Sequence, residues 1–159
     1  MKKYAVIATF LLLSMALCPL AAMGSGKEKA QQENLPVISY DVENETEYIT
    51  VMSSSTGGMQ KIEMREYLIG CVAAEMPANY HPEALKAQAV ASYSYAKRLT
   101  EKSSDYITDS PLTHQGYVSR QTRIQNWGEN FEENEKKISE AVDAVLGCRL
   151  VYGGETALA

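Results

Sequence analysis

The 159-residue sequence predicts an α+β domain that follows an apolar N-terminal segment. Three observations predict this class: a β-hairpin pattern, two helical stretches packed around a proline-containing turn, and a further helix followed by a second hairpin. Apolar residues make up 45% of the chain and charged residues 22%, as in ordinary globular proteins. The net charge of −5 argues against a nucleic-acid partner, which would require a basic face.

Residues 1–23 predict a segment that directs the chain to a membrane. Lys2 and Lys3 precede an uncharged, mostly apolar run, 4–23. This run is long enough to span a bilayer as a transmembrane helix, and the small residues near its end also fit a cleaved signal peptide. Its length favours the uncleaved anchor. Under both alternatives, we expect the domain to work outside the cytoplasm, anchored to the cell membrane or secreted.

The next elements are a linker and a hairpin. Residues 24–46 are polar and show no sustained periodicity, so we predict a flexible linker there. The stretches "EYITVM" (47–52) and "MQKIEM" (59–64) alternate as strands, and "SSSTGG" (53–58) between them has the composition of a turn. We therefore predict that the domain begins at residue 47 with a β-hairpin.

Two helices follow the hairpin. Apolar residues recur at helical spacing from Arg65 to Glu75, and Pro77 should end this helix because the residue before a proline disfavours helical angles. A second helix should begin near Pro82, a suitable first-turn residue, and continue past Arg98. Its many alanine and serine residues allow another element to approach closely.

The remaining third of the chain is predicted as loop, helix and strands. Residues 103–130 are assigned mostly to loop, with a short strand at "QGYVS" (115–119). A third helix is predicted over 132–146, with Gly147 as its C-cap. "CRLVY" (148–152) should form a strand that turns through "GG" into a further strand at "ETALA" (155–159).

The cysteine and histidine residues do not predict a metal site or a cofactor. Cys71 and Cys148 lie outside the leader without a CxxC pattern or a Cys/His cluster, so we expect two small buried thiols. His114 in "THQGY" is interpreted as an ordinary loop or strand histidine. Trp127 in "NWGEN" is an alternative glycan contact, although a loop aromatic of this kind has no specific signature.

Glu75 is the strongest catalytic candidate on the residues alone. It lies seven positions after Leu68 and four after Cys71, which places it on the apolar face of the first helix. The turn at Pro77 should open it to a cleft. Apolar surroundings disfavour the charged form of a carboxyl group, which suits a general acid. In the alternative interpretation, Glu75 only binds the N-terminus of the helix that begins near Pro82.

The stretch "EYLIGCVAAEMPANYHPEALKAQAVASYSYAKR" (66–98) resembles the opening signature of the SpoIID/LytB family, which comprises stage II sporulation protein D and amidase-enhancer proteins. A weaker resemblance extends over "HQGY" (114–117) and 140–154. Because the family pattern continues further, we expect the domain at 47–159 to be incomplete at its C-terminus. The matching positions are Glu66, Tyr67, Gly70, Val72, Ala73, Glu75, Met76, Pro77, Glu83 to Ala91, Tyr95 and Ala96.

The resemblance implies a lytic transglycosylase that cleaves peptidoglycan glycan strands during sporulation and engulfment, without a cofactor. It assigns the roles of general acid and then base to Glu75. It also implies a cell-wall amidase as partner and a location at the membrane or in the wall. The alternative hypothesis is a non-catalytic wall-binding or amidase-enhancing module, and a third is a truncated, poorly folded product.

Three further residues are candidates for substrate binding. Tyr93 stands where the family pattern has an arginine, and its hydroxyl is expected to contact substrate although it cannot supply a fixed positive charge. Tyr80 is a candidate for stacking on a sugar ring, and the alternative interpretation is a half-buried core tyrosine. Gln88 is predicted on the face of the second helix that looks towards the first, where it would orient Glu75.

Overall fold

The structure is a computed structural model that describes residues 35–41, 46–102 and 104–158. The predicted leader, 1–23, lies outside the described residues, as does the linker up to residue 34. Within the described ranges, no helix combines the length and the apolar character needed to cross a membrane.

The described part of the chain is an α+β fold with four α-helices and six strands, which confirms the predicted class. A single 3₁₀ turn, Gly128–Asn130, joins the last two helices. In chain order the elements are β1 (Val37–Tyr40), β2 (Tyr48–Met52), β3 (Met59–Glu63), α1 (Met64–Glu75), α2 (Pro82–Glu101), β4 (Ile107–Thr108), α3 (Arg120–Trp127), α4 (Phe131–Asp143), β5 (Cys148–Tyr152) and β6 (Glu155–Thr156).

The predicted hairpin is confirmed as β2 and β3. The two strands pair antiparallel, with Ile49 opposite Ile62 on the buried face. β4 pairs with β2 in parallel and completes a small sheet in the order β3-β2-β4. The alternation that predicts the hairpin exists because one face of this sheet is buried and the other is exposed.

The two helices around the turn are confirmed almost to the residue. α1 ends at Glu75 because Met76, which precedes Pro77, is extended at φ −135° and ψ 139°. α2 begins at Pro82, and the ring of His81 accepts a hydrogen bond from the Glu83 N–H as its N-cap. α2 packs against both α1 and α4. The side chains buried at this junction include Leu68, Val72, Leu85, Ala89, Ile138 and Val142.

A second sheet, in the order β1-β5-β6, lies against α2. β5 and β6 confirm the predicted C-terminal hairpin, although β6 extends only over Glu155–Thr156. β1 pairs antiparallel with β5 and lies inside 24–46, so the prediction of a flexible linker is wrong for these residues. The sequence does not indicate this strand because Val37 and Ile38 stay more than half exposed. Backbone pairing with β5, and not burial of side chains, holds β1 in place.

The prediction for 103–130 is wrong in two places. The strand in this stretch is β4, whereas the predicted strand at 115–119 is absent from the described structure, and α3 occupies residues assigned to loop. α3 begins at Arg120, and the hydroxyl of its N-cap residue, Ser119, accepts a hydrogen bond from the Thr122 N–H. Periodicity misses α3 because its buried residue is a charged one, Arg123, instead of an apolar residue.

The third predicted helix is confirmed as α4, shifted slightly towards the N-terminus. It ends at Asp143, three residues before the predicted end. Gly147 has a positive φ of 82°, and its carbonyl accepts a hydrogen bond from the Asp41 N–H. The chain therefore reverses at Gly147 and enters β5.

Candidate functional site

Glu75 is the last residue of α1, and its side chain is exposed. The predicted apolar surroundings are absent from its position, because the turn at Pro77 leaves the helix end open on this side. In the alternative interpretation, Glu75 binds the N-terminus of α2, but the structure has His81 in this role as the N-cap of that helix. The structure therefore gives Glu75 an accessible carboxylate.

The carboxylate of Glu75 is held by the backbone of a distant loop. The N–H of Gly116 donates to Oε1 of Glu75 at 3.0 Å. A Cβ at Gly116 would lie 3.0 Å from this oxygen and 3.3 Å from the Cβ of Ala74. A side chain at position 116 would crowd both atoms, so the hydrogen bond to Glu75 favours glycine at this position.

Residues 115–123 run along α1 from Glu75 back towards its start. The side-chain amide of Gln115 donates to the hydroxyl of Tyr67 at 2.8 Å, and the Val118 N–H donates to the Gly70 carbonyl at 3.3 Å. The ring of Tyr117 stacks on Tyr67, with centroids 5.5 Å apart. Contacts at several turns of the helix thus fix the whole 115–123 segment against α1.

The close approach of this segment depends on Gly70. A Cβ at Gly70 would lie 2.5 Å from Cδ2 of Tyr117 and 2.7 Å from the Val118 carbonyl oxygen. Half-burial raises the pKa of Tyr117 to about 12. The match to the family pattern at Gly70 therefore has a packing reason.

Arg123 fastens the other end of the segment and is fully buried. It donates to both carboxylate oxygens of Glu135, at 2.8 and 2.7 Å, and to Glu66 at 2.8 Å. A further N–H donates to the Val118 carbonyl at 3.0 Å. Burial opposes the charge of the guanidinium group, but these two carboxylates outweigh it and raise the pKa of Arg123. Sequence reasoning missed Arg123, because its partners lie far away in the chain.

Tyr93 does not occupy the predicted place at the substrate. Its side chain is 2% exposed, and its hydroxyl lies 3.0 Å from both Asp41 Oδ2 and Glu47 Oε2. Burial and these two carboxylates raise the pKa of Tyr93 above its ordinary value. A side chain enclosed in this way has no face for a sugar ring, so Tyr93 ties the end of β1 and the residue before β2 to α2.

The predictions for Gln88 and for Tyr80 have different outcomes. The Gln88 amide donates to Ser92 Oγ one turn along α2, at 3.5 Å, and its described hydrogen bond is therefore not to Glu75. Tyr80 lies in the turn between α1 and α2, where its N–H donates to the Pro77 carbonyl and its side chain is 49% exposed. It remains available for a ligand, and its role stays a prediction.

The expectations for cysteine and histidine agree with the structure. Cys71 and Cys148 are free, buried thiols, and burial raises the pKa of Cys71 well above its ordinary value. His114 is a loop residue whose Nδ1 accepts the Thr108 N–H at 3.0 Å. Trp127 belongs to α3 and packs partly buried near Phe131 instead of lying in an exposed loop.

A polar groove lies between the β2–β3 hairpin and residues 117–122. Its volume is about 380 Å³, and it separates the turn of the β2–β3 hairpin from the start of α3. Ser53, Gln60, Asp109, Tyr117 and Thr122 are among the residues that line it. Glu75 is not among the residues that line this groove.

Comparison with known proteins identifies the family. The family model described as SpoIID, stage II sporulation protein, matches residues 52–152. Stage II sporulation protein D from Bacillus subtilis (strain 168) is 35% identical over 113 residues, which are 67% of this chain and 33% of that protein. The protein of the same name from Bacillus amyloliquefaciens is 36% identical over 110 residues, 65% of this chain and 32% of the relative.

The chain spans about one third of the length of these curated relatives. The matched range contains α1, α2, the 115–123 segment and the Glu75–Gly116 contact. Because the family model covers well over half of the sequence, the chain belongs to the SpoIID family of stage II sporulation proteins.

Proposed function

We propose that this chain acts in sporulation as a lytic transglycosylase that cleaves the glycan strands of peptidoglycan, with Glu75 as its single general acid and base. The observation that supports this most directly is the Glu75 carboxylate itself. It is exposed at the end of a well-packed helix, and the Gly116 N–H holds one of its oxygens at 3.0 Å. A catalytic carboxylate needs both this accessibility and this fixed direction.

The proposed reaction needs one carboxyl group in two protonation states. Protonated Glu75 donates its proton to the glycosidic oxygen as the bond to C1 of the muramyl residue breaks. The resulting carboxylate then takes the proton of the 6-hydroxyl of the same residue, whose oxygen closes onto C1. The products are a free 4-hydroxyl on one strand and a 1,6-anhydromuramyl end on the other, and Glu75 is again protonated.

A single carboxylate is sufficient because no water molecule attacks. Hydrolytic glycosidases require a second carboxylate that acts as nucleophile or activates water, at about 5–9.5 Å from the first. Ring closure supplies the nucleophile from within the substrate, and intramolecular attack has a large entropic advantage. Exposed Tyr80, a few residues beyond Glu75, is the aromatic residue that we propose as a stacking surface for a neighbouring sugar.

The test is cleavage of amidase-treated peptidoglycan by the whole chain, with anhydromuramyl ends counted by mass spectrometry. Glu75→Gln preserves the size of the side chain and keeps an oxygen to accept the Gly116 N–H, but it cannot donate the carboxyl proton. We expect the parent to produce anhydromuramyl ends and Glu75→Gln to lose at least about 10³-fold in rate, as expected for loss of the only acid and base. The matched control is Glu132→Gln, at an exposed position in the first turn of α4, and it should retain full activity.

A second candidate function is a wall-binding or amidase-enhancing module. Two observations favour it: Tyr93 replaces the arginine of the family pattern and is buried, and the polar groove lined by Ser53, Gln60 and Asp109 does not include Glu75. Binding of glycan strands by both parent and Glu75→Gln, with no anhydromuramyl ends from either, would decide for the module. In both cases we propose action outside the cytoplasm, next to a membrane and a wall amidase.

A further inference from the structure

Gln115 connects the two central helices immediately next to the Glu75 contact. Its Nε2 donates one hydrogen bond to the hydroxyl of Tyr67 on α1, at 2.8 Å, and another to the carbonyl of Ser92 on α2, at 3.2 Å. Tyr67 is fully buried and Ser92 is 1% exposed, so both acceptors lie inside the packed interior. Burial raises the pKa of Tyr67, so the group that accepts this bond is the protonated phenol.

The next residue along the chain supplies the N–H that binds Glu75. The carbonyl of Gln115 and the N–H of Gly116 belong to the same planar peptide unit, which moves as a rigid body. Gly116 itself has no side chain to hold it in place. The direction of its N–H is therefore set by its neighbours, and Gln115 is the neighbour whose side chain is anchored to both helices.

The N–H of Gly116 makes the two oxygens of Glu75 unequal. A donor at Oε1 favours negative charge on that oxygen, so the carboxylic acid carries its hydrogen on the other oxygen, Oε2. Among the residues that the structure describes, none donates a hydrogen bond to Oε2, and the side chain is exposed. Oε2 is thus the oxygen from which a proton can reach a bound ligand.

We infer that Gln115 is a positioning residue, which fixes the Gly116 N–H on Oε1 of Glu75 so that Oε2 carries the transferred proton. This role rests on the proposed transglycosylase function. In the first step the proton leaves Oε2 for the glycosidic oxygen, and the negative charge left on the carboxylate is stabilised by the Gly116 N–H. In the second step Oε2 takes the proton of the 6-hydroxyl as its oxygen closes onto C1.

Two variants of the whole chain remove the anchoring of Gln115 to different extents. Gln115→Ala removes both hydrogen bonds, whereas Tyr67→Phe removes only the acceptor on α1 and leaves Ser92. We expect kcat to fall by about 10- to 100-fold in Gln115→Ala, as for a displacement of about 1 Å at a reacting group, and by less in Tyr67→Phe. KM should change by less than about twofold, because the side-chain amide of Gln115 is engaged with Tyr67 and Ser92. Gln125→Ala, at an exposed position on α3, is the matched control.

A second measurement does not depend on activity. In the parent, the amide proton of Gly116 should shift in an NMR pH titration as the bound carboxylate gains its proton, and Glu75→Gln should abolish this shift. Gln115→Ala should reduce it at least about twofold, because the peptide unit is no longer held. If Gln115→Ala does not fold, which circular dichroism would show, Tyr67→Phe serves for both measurements.

The outcomes separate this inference from the proposed function. Full kcat and an unchanged Gly116 titration in both Gln115→Ala and Tyr67→Phe, alongside an inactive Glu75→Gln, would overturn the positioning role and leave the transglycosylase intact. A parallel rise of KM with unchanged kcat would instead make Gln115 a substrate-binding residue. If the parent makes no anhydromuramyl ends, the proposed function fails and the positioning role of Gln115 in that reaction fails with it. A Glu75-dependent titration of Gly116 would then still establish the contact.

Discussion

Replacement of Gly70 by alanine tests the packing of the 115–123 segment on α1, because two effects of opposite sign compete. Alanine in place of glycine inside a helix normally stabilises a protein by about 1 kcal/mol. At Gly70, however, the new Cβ would lie 2.5 Å from Cδ2 of the Tyr117 ring and 2.7 Å from the Val118 carbonyl oxygen. Neither distance can be accommodated without movement of the 115–123 segment.

The second effect is larger because neither obstacle can move freely. The Tyr117 ring stacks on the buried Tyr67, and the Val118 carbonyl accepts a hydrogen bond from buried Arg123 at 3.0 Å. Overpacking of a rigid site costs about 1–3 kcal/mol, and we place this site at the upper end. The net expectation is that Gly70→Ala lowers the free energy of unfolding by about 2 kcal/mol, obtained from about 3 of overpacking less about 1 of helix propensity.

Urea unfolding followed by circular dichroism measures this difference. With a slope of about 2 kcal/mol per molar urea, the midpoint should fall by about 1 M without a change of slope. Ala87→Gly, at an exposed position of α2, changes helix propensity without a steric clash. It should lower the free energy of unfolding by about 1 kcal/mol. In a Tyr117→Ala background the cost of Gly70→Ala should be smaller, since the ring is absent. A Gly70→Ala chain as stable as the parent, or more stable, would refute the packing argument.

Two further predictions concern the charged groups around the same segment. Arg123→Met should lower the free energy of unfolding by about 3–5 kcal/mol, because it leaves Glu66 and Glu135 facing each other without a cation. A loss below about 1 kcal/mol in urea unfolding would contradict this prediction. The second prediction concerns Asp109, whose Oδ1 accepts a hydrogen bond from the Ser54 N–H at 2.8 Å. Burial raises the pKa of Asp109, but the hydrogen bonds from Ser54 outweigh burial and lower this pKa below its ordinary value. A lowered pKa in the folded state contributes stability above the pKa of the unfolded chain, about 3.9, and this is lost as the pH falls through the folded value. The stability difference between the parent and Asp109→Asn should therefore be about 1 kcal/mol at pH 7 and shrink towards pH 3, and a difference independent of pH would count against the Ser54 interaction.

The sequence by itself determined the β2–β3 hairpin, the helices α1, α2 and α4, and the place of Glu75 at a helix end. Pro77 and Pro82 bracket the turn between α1 and α2, and each acts through restrictions on its own or the preceding residue's backbone. The β2–β3 hairpin follows from alternation across a turn-forming stretch. These features depend on neighbours within a few residues, which is why patterns in the chain predict them.

Tertiary structure alone decided what the candidate residues contact. Gly116 binds Glu75 across 41 residues of sequence, and Arg123 binds Glu66 across 57, so no local periodicity indicates either pair. Helical spacing places Tyr93 on α2 but cannot tell that its hydroxyl meets Asp41 and Glu47 in a buried site. A hydrogen bond or ion pair between distant segments requires only one donor and one acceptor, and these leave no repeating pattern in the sequence. The direction of each carboxylate is therefore fixed only when the whole domain folds.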